Sequence, residues 1–281
     1  MHRKVIKSFA KINLFLNVVS KKNKFHRIQS LFSFIDLHDR IEISPINRKK
    51  HFIKFDGKFS KGISKKNSIS TLLKILDQKG LIKKKYCIKV TKNIPQKSGM
   101  GGGSMNAASI LKFFLKRKII ILNKKRILEI CEMVGNDVKI GLYKGTIFLN
   151  SNNSIQSLKK GLRYHLLIFK PKIGCSTKYI FSKFKNFSKK IPSNKKNLLK
   201  LNNKKNDLEP IVLKKFRNIS KPIFFLKSLK GTEFVRMTGC GSSFVAYFKS
   251  KKNLLNASKL FTNKYKKYWS VMSKTNYIIF D

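Results

Sequence analysis

An α+β fold in two lobes is what these 281 residues predict, on three patterns. An alternating apolar stretch at Tyr86–Val90 runs through a glycine-rich loop into a helical pattern at Ala107–Leu115. Arg236–Phe248 reads as strand, glycine turn and strand, or as a glycine turn opening onto a helix. Strand and helix patterns are intermixed without the strict alternation of a doubly wound sheet. The two lobes are expected near 1–150 and 151–281, and the chain shows no internal repeat.

Each element follows from spacing. Residues 5–19 alternate or run apolar, as a strand does, and Leu31–Asp36 and Asp39–Ser44 give two more strands. Asn67–Leu76 is helical, because Ile69, Leu72, Leu73 and Leu76 fall on one face. After the strand, loop and helix of 86–115, Ile127–Val134 reads as a short helix that Gly135 ends as a C-cap. Gly145–Asn150 and Leu166–Lys170 are strands. Residues 182–206, rich in Lys, Asn and Ser, read as a solvated connector, with or without a short helix. Beyond them Asp207-Leu208-Glu209-Pro210 opens a helix, with Asp207 as its N-cap.

Composition bounds the function. Hydrophobic residues make up 42% of the chain, enough for real cores. The 64 Lys and Arg against 12 Asp and Glu give a net charge of +52, which suits a nucleic-acid partner. The lysines are spread through the sequence beside Asn and Ile, as an adenine- and thymine-rich coding sequence would produce. They read mainly as solvated drift, with a basic RNA-binding protein as the rival from another class. Cys87, Cys131, Cys175 and Cys240 are far apart with no C-x-x-C, so they read as free thiols. No apolar run is long enough to span a membrane, and the first residues lack a convincing cleavage site. A cytoplasmic enzyme is expected.

The loop Pro95-Gln96-Lys97-Ser98-Gly99-Met100-Gly101-Gly102-Gly103-Ser104-Met105 carries the chemistry. A strand, glycines and a helix start hold phosphate: glycines let the backbone approach, and first-turn N–H groups point at the anion. The spacing is neither a Walker A motif nor G-x-G-x-x-G. A nucleotide held here belongs to another class.

Three blocks occur in order: Ala10-Lys11-Ile12-Asn13-Leu14-Phe15-Leu16, the loop Pro95–Asn106, and Met237-Thr238-Gly239-Cys240-Gly241-Ser242-Ser243. Together they resemble the three motifs of the GHMP kinase superfamily, which includes galactokinase, homoserine kinase and mevalonate kinase. The likeness spans nearly the whole chain and takes in Phe25-His26, Gly135-Asn136-Asp137-Val138 and Asn206-Asp207-Leu208-Glu209. It implies a two-lobed GHMP kinase fold, with an amino-terminal lobe like a ribosomal-protein domain and a ferredoxin-like carboxy-terminal lobe. It also implies ATP, with Mg²⁺ arriving on the nucleotide, and no dedicated metal site.

Read from the sequence alone Asp137 is more readily a helix N-cap; the resemblance reverses this and makes it the base that takes the substrate hydroxyl proton. Lys11 sits on a strand patterned for burial, where a structural lysine would snorkel. The resemblance makes it the partner that keeps Asp137 ionised and stabilises the transferring phosphoryl group. Asn13 shares its strand face and is a candidate substrate ligand. Phe25 and His26 stand where one branch of the superfamily has Tyr-His, the ring stacking on cytosine and the imidazole reading its edge. Thr177 and Phe181 resemble the other side of that pocket. The implied substrate carries a cytidine diphosphate group; homoserine or mevalonate would be the alternative alcohols. Ser104 is a candidate for Mg²⁺ or the β-phosphate. Two departures stand out: Lys97 in the loop, either a phosphate contact or a crowding, and Lys139 where the family has Pro. A monomer or homodimer is expected.

Overall fold

The computed structural model describes residues 3–23, 25–158 (Phe25 by its backbone alone), 162–194, 198, 200, 201 and 204–275. The chain is divided between two compact units. One takes the residues up to Ala10, Leu37–Gln96 and Gly101–Tyr143; the other takes Lys11–Asp36, Lys97–Met100 and the chain from Lys144 onward. Two long strands serve both, β1 (Lys4–Lys22) and β2 (Phe25–Ile46).

In the first unit, residues Arg40–Ile46 of β2 pair antiparallel with β4 (Lys85–Thr91), in a register that sets Ile41 against Val90 and Ile43 against Ile88. β3 (Phe52–Asp56) lies parallel to β4 on its other side. Three helices bury their apolar stripes in the same core: α1 (Ser68–Gln78), α2 (Gly102–Lys116) and α3 (Lys124–Val134). The predicted face of Ile69, Leu72, Leu73 and Leu76 is buried, and each such side chain contributes roughly 1.5–3 kcal/mol. Asn67 caps α1 by accepting the Ile69 and Ser70 N–H groups, while the Ser70 hydroxyl accepts the Asn67 N–H.

In the second unit, Ser30–Ser33 of β2 pair with β5 (Thr146–Leu149), which pairs with β6 (Ile155–Leu158). A separate antiparallel sheet has the order β10-β7-β9-β8, formed by Trp269–Lys274, His165–Lys170, Phe244–Phe248 and Thr232–Met237. Its helices are α4 (Thr177–Ser182), α5 (Glu209–Lys215), α6 (Ser220–Ser228) and α7 (Lys251–Lys264). Leu167, Phe169, Phe244, Phe248, Leu254 and Phe261 are among the residues filling this core.

Two sheets with helices give the predicted α+β class. Several details differ from expectation. The strands at 31–36 and 39–44 are one strand, because Leu37 and His38 continue the ladder. α2 begins five residues earlier than its alanines suggested, within the glycines themselves. Gly135, by contrast, is the C-cap of α3 as expected, with φ 160° and ψ 149°. Arg236–Phe248 is strand, turn and strand. Asp207 does not cap α5, which starts two residues later; its carboxylate accepts the Val18 N–H at 2.7 Å. The connector is tied down where it is described. Ser188 donates its N–H to Val18 at 2.9 Å, and the buried Gln29 amide clips both the N–H and the C=O of Ile191.

Candidate active site

The glycine loop leaves β4 through Asn93 and Ile94, whose N–H groups donate to Asp39 Oδ1 at 2.8 and 2.9 Å. Oδ2 of the same carboxylate accepts the Lys92 ammonium and the Asn106 amide of α2, the latter at 3.0 Å. Asp39 is fully buried, and Lys92 and Asn106 are nearly so. One carboxylate thus fixes the end of β4 to the start of α2. Gln96 adds an anchor by donating to the carbonyls of Phe59 and Lys61, both at 2.8 Å.

Within the loop, Lys97, Gly99 and Gly101 all take positive φ, at 49°, 77° and 70°. Left-handed residues alternating with ordinary ones turn successive N–H groups toward one side, the backbone pattern of an anion-binding concavity. α2 then starts with no side-chain cap and no acidic residue in its first turn. The N–H groups of Gly102, Gly103 and Ser104 precede the first intrahelical bond, from Met105 to Gly101 at 2.9 Å, and suit a phosphate. Pro95, Ser98, Met100 and Met105 are buried beneath the loop, while Lys97 is exposed. The Lys97 stem lies against Gly174, where an added Cβ would be 2.9 Å from Lys97 Cδ.

Asp137 lies in the tight turn between α3 and a one-turn 3-10 helix, Lys139–Leu142. Its carbonyl accepts the Ile140 N–H at 3.2 Å, and Val138 donates back to Gly135 at 3.0 Å. Gly141 brings this turn against α2: a Cβ there would come within 2.5 Å of the Ala108 Cβ. The turn bearing Asp137 is therefore registered on the helix that opens at the loop. Lys139 is buried, with its ammonium 3.9 Å from Glu132.

In the second unit Lys11 does not snorkel. It is 3% exposed, its ammonium donates to Asn13 Oδ1 at 3.0 Å, and it lies over the Phe32 ring at 5.0 Å. Its backbone N–H donates to the Met100 carbonyl at 3.1 Å. Asn13 is as buried, and its oxygen also accepts the Gly239 N–H at 2.9 Å while its amide donates to Ser30 at 2.8 Å. The Asn13 N–H in turn donates to the Thr238 hydroxyl at 3.0 Å. The three sequence blocks meet here. Ser242 and Ser243 donate their N–H groups to the carbonyls of Lys97 and Ser98, both at 3.3 Å.

The His26 ring stands 5.0 Å from that of Phe181, with Phe184 at 6.3 Å and Phe187 at 6.4 Å. Partial burial, then the neighbouring Lys21 ammonium, pulls the His26 pKa below its ordinary value. A neutral imidazole offers one donor and one acceptor to a base edge. Thr177 is exposed, one helical turn before Phe181 on α4. The Phe25 side chain lies outside the described residues.

Sequence reasoning missed Asp39 and Lys92, although both left a signal. Lys92 continues the inward parity of Tyr86, Ile88 and Val90, and Asp39 that of Ile41 and Ile43. Replacing Asp39 by Ala strands a buried ammonium and two backbone donors. The expected cost is about 3–5 kcal/mol, or a fall in melting temperature on the order of 10 °C. Thermal unfolding followed by circular dichroism checks this, and an unchanged melting temperature would contradict it.

Comparison with known proteins shows the family of this chain. The family model described as GHMP kinases N terminal domain matches residues 67–147, the stretch from the cap of α1 through the loop, Asp137 and into β5. The fold is that of a GHMP kinase. It resembles a crystal structure of 4-(cytidine 5'-diphospho)-2C-methyl-D-erythritol kinase with a TM-score of 0.78, at 19% identity over 97% of this chain and 100% of the other. Homoserine kinase from Cytophaga hutchinsonii follows at 0.70, with 15% identity over 97% and 95%. A 4-diphosphocytidyl-2-C-methyl-D-erythritol kinase of Pelagibacter ubique (strain HTCC1062) is 50% identical over 275 residues, covering 96% of this chain and 98% of the relative. The chain belongs to the 4-diphosphocytidyl-2-C-methyl-D-erythritol kinase family.

Proposed function

We propose that the protein transfers the γ-phosphoryl group of ATP to the 2-hydroxyl of 4-diphosphocytidyl-2-C-methyl-D-erythritol, releasing ADP, in non-mevalonate isoprenoid precursor biosynthesis. The observation that carries the reading is half identity to a kinase of that name along almost the whole chain. The site supports it. Asp137 takes the proton as the hydroxyl attacks in line, and Lys11 supplies positive charge to the transferring group. Pro95–Met105 cradle the nucleotide phosphates through backbone N–H groups, with Lys97 free to reach an outer oxygen.

The cytosine lies between the Phe25 and Phe181 rings, with His26 and Thr177 hydrogen-bonding its edge. Asn13 acts through Lys11 and the Gly239 turn, since its oxygen already accepts from both. Among the described residues no group of three His, Cys, Asp or Glu could hold a metal ion. Mg²⁺ would arrive on the ATP phosphates and neutralise their charge there, with the Ser104 hydroxyl as a candidate added ligand. Among the described residues no helix is long and apolar enough to cross a membrane. We place the reaction in the cytoplasm, catalysed by a monomer or homodimer.

ADP release with Mg-ATP, compared across the cytidyl substrate, homoserine and mevalonate, tests the reading. Turnover with the first alone is expected; turnover with only another alcohol would discard the cytosine pocket. Replacing Phe181 by Ala removes one stacking face, worth about 1–3 kcal/mol per base. The expected result is a KM for the cytidyl substrate raised ~10-fold or more, with the KM for ATP unchanged. Equal effects on both constants would place Phe181 in the general packing of the fold.

A further inference from the structure

The Asn206-Asp207-Leu208-Glu209 block has so far been given no part in the reaction, yet its polar groups grip the third motif. The Asn206 amide donates to the carbonyls of Met237 and Gly239, at 2.9 and 2.8 Å. Its own oxygen accepts the Leu208 N–H at 3.1 Å, which fixes which end of the amide faces the motif. Glu209 Oε2 accepts the Met237 N–H at 2.8 Å. Asn206 is 2% exposed, so neither carbonyl it holds can turn to water instead.

The block is itself anchored. Leu16 donates to Lys205 at 3.0 Å and Asp207 donates to Leu16 at 2.9 Å, a short parallel bridge onto β1 just beyond Lys11 and Asn13. The turn it holds has no slack on its other side. A Cβ on Gly99 would lie 2.0 Å from the Thr238 carbonyl oxygen, and one on Gly239 would lie 2.7 Å from the Gly99 carbonyl oxygen. Moving residues 237–241 toward the loop would therefore displace its 97–99 segment.

We infer that Asn206 and Glu209 are positioning residues for the nucleotide phosphates, acting through the 237–241 turn on the glycine loop. The inference rests on the phosphate-binding role proposed above for that loop. Both side chains act through backbone groups of the turn. Asn206 supplies two donors that only an amide can place on two carbonyls at once, whereas an aspartate of the same shape would set a negative oxygen against both. For Glu209 one acceptor suffices, and a glutamine retains it.

Equilibrium binding of ATP and, separately, of the cytidyl substrate, measured by calorimetry on the full chain, tests this without requiring turnover. Asn206→Asp and Asn206→Ala are expected to weaken ATP binding about tenfold or more and leave the cytidyl substrate affinity unchanged. Glu209→Ala should move in the same direction and Glu209→Gln should restore it. A purely structural role predicts a lower melting temperature with both affinities intact at low temperature, and that pattern overturns the inference. So does loss of both affinities together in a folded variant. Should the Asn206 variants not fold, the Glu209 pair decides, an unchanged ATP affinity in Glu209→Ala counting against the inference. Failure of wild-type turnover with tight ATP binding would fault the substrate reading and leave this one standing.

Discussion

Replacing Asp137 by Asn is expected to lower turnover by about a hundredfold to ten-thousandfold, the range a positioned general base supplies. ATP affinity should stay as it was, because the proposed nucleotide contacts are backbone N–H groups of the glycine loop. The change is isosteric, and the turn is fixed by backbone bonds at Val138 and Ile140 and by the close fit of Gly141 on Ala108. A loss of activity therefore cannot be laid to a moved turn, provided the melting temperature is unchanged. An amide cannot accept the hydroxyl proton at neutral pH, so residual turnover would measure what phosphate placement and charge stabilisation achieve alone. Single-turnover rates with ATP and the cytidyl substrate read this directly. A variant that keeps wild-type turnover would strip Asp137 of the base role and leave it as a residue of the turn.

What the sequence made legible was whatever repeats locally. The parity of β4, the stripe on α1 and the strand–glycine–helix signature at 86–115 each follow from a period of two or 3.6. All three are found in the fold. Asp207 was misread because an acidic residue before a helix satisfies the capping rule by default. Its partner, the Val18 N–H, lies 189 residues away, and no local pattern announces it. The continuous run of β2 through Leu37 and His38 was hidden for a similar reason, since a polar break looks like a turn unless the ladder beside it is known.

The site divides along the same line. Lys11, the glycine loop and Asp137 stand in short motifs and could be named at once. What holds the backbone around Lys11 and the loop could not, because it depends on Asn13, Asn206 and Asp39 reaching across tens to hundreds of residues to meet backbone groups. The Asp39–Lys92 pair lies between these extremes. Both residues obey the inward parity of their strands, and a buried parity position held by a charge is a readable sign of a partner opposite. The solvated reading of the connector holds for its mostly exposed side chains, and what composition could not show is where the segment is tied. Ser188 and Ile191 are fixed through backbone groups, which every residue carries.

Gly99→Ala should be severely damaging for a single added methyl. At φ 77° an L-residue costs roughly 1–2 kcal/mol by itself, the ordinary left-handed penalty. Gly80 isolates that part: its φ is 64° and an added Cβ would meet nothing within 4 Å, so Gly80→Ala carries strain without collision. At Gly99 the new carbon would sit 2.0 Å from the Thr238 oxygen, which is backbone and cannot rotate away. Thr238 itself is held on both sides, by its N–H to Ser243 at 3.0 Å and its hydroxyl to the Asn13 N–H. Either the loop withdraws from the third motif or the motif withdraws from Asn13 and Asn206, and both routes spoil the placement of phosphate-binding N–H groups. The expected result is loss of ATP affinity by about two orders of magnitude or more, beside a near-normal Gly80→Ala. If the two variants bound ATP equally well, the contact between the second and third motifs would have no part in nucleotide binding. The loop would then have to hold its shape through Asp39, Gln96 and the start of α2 alone.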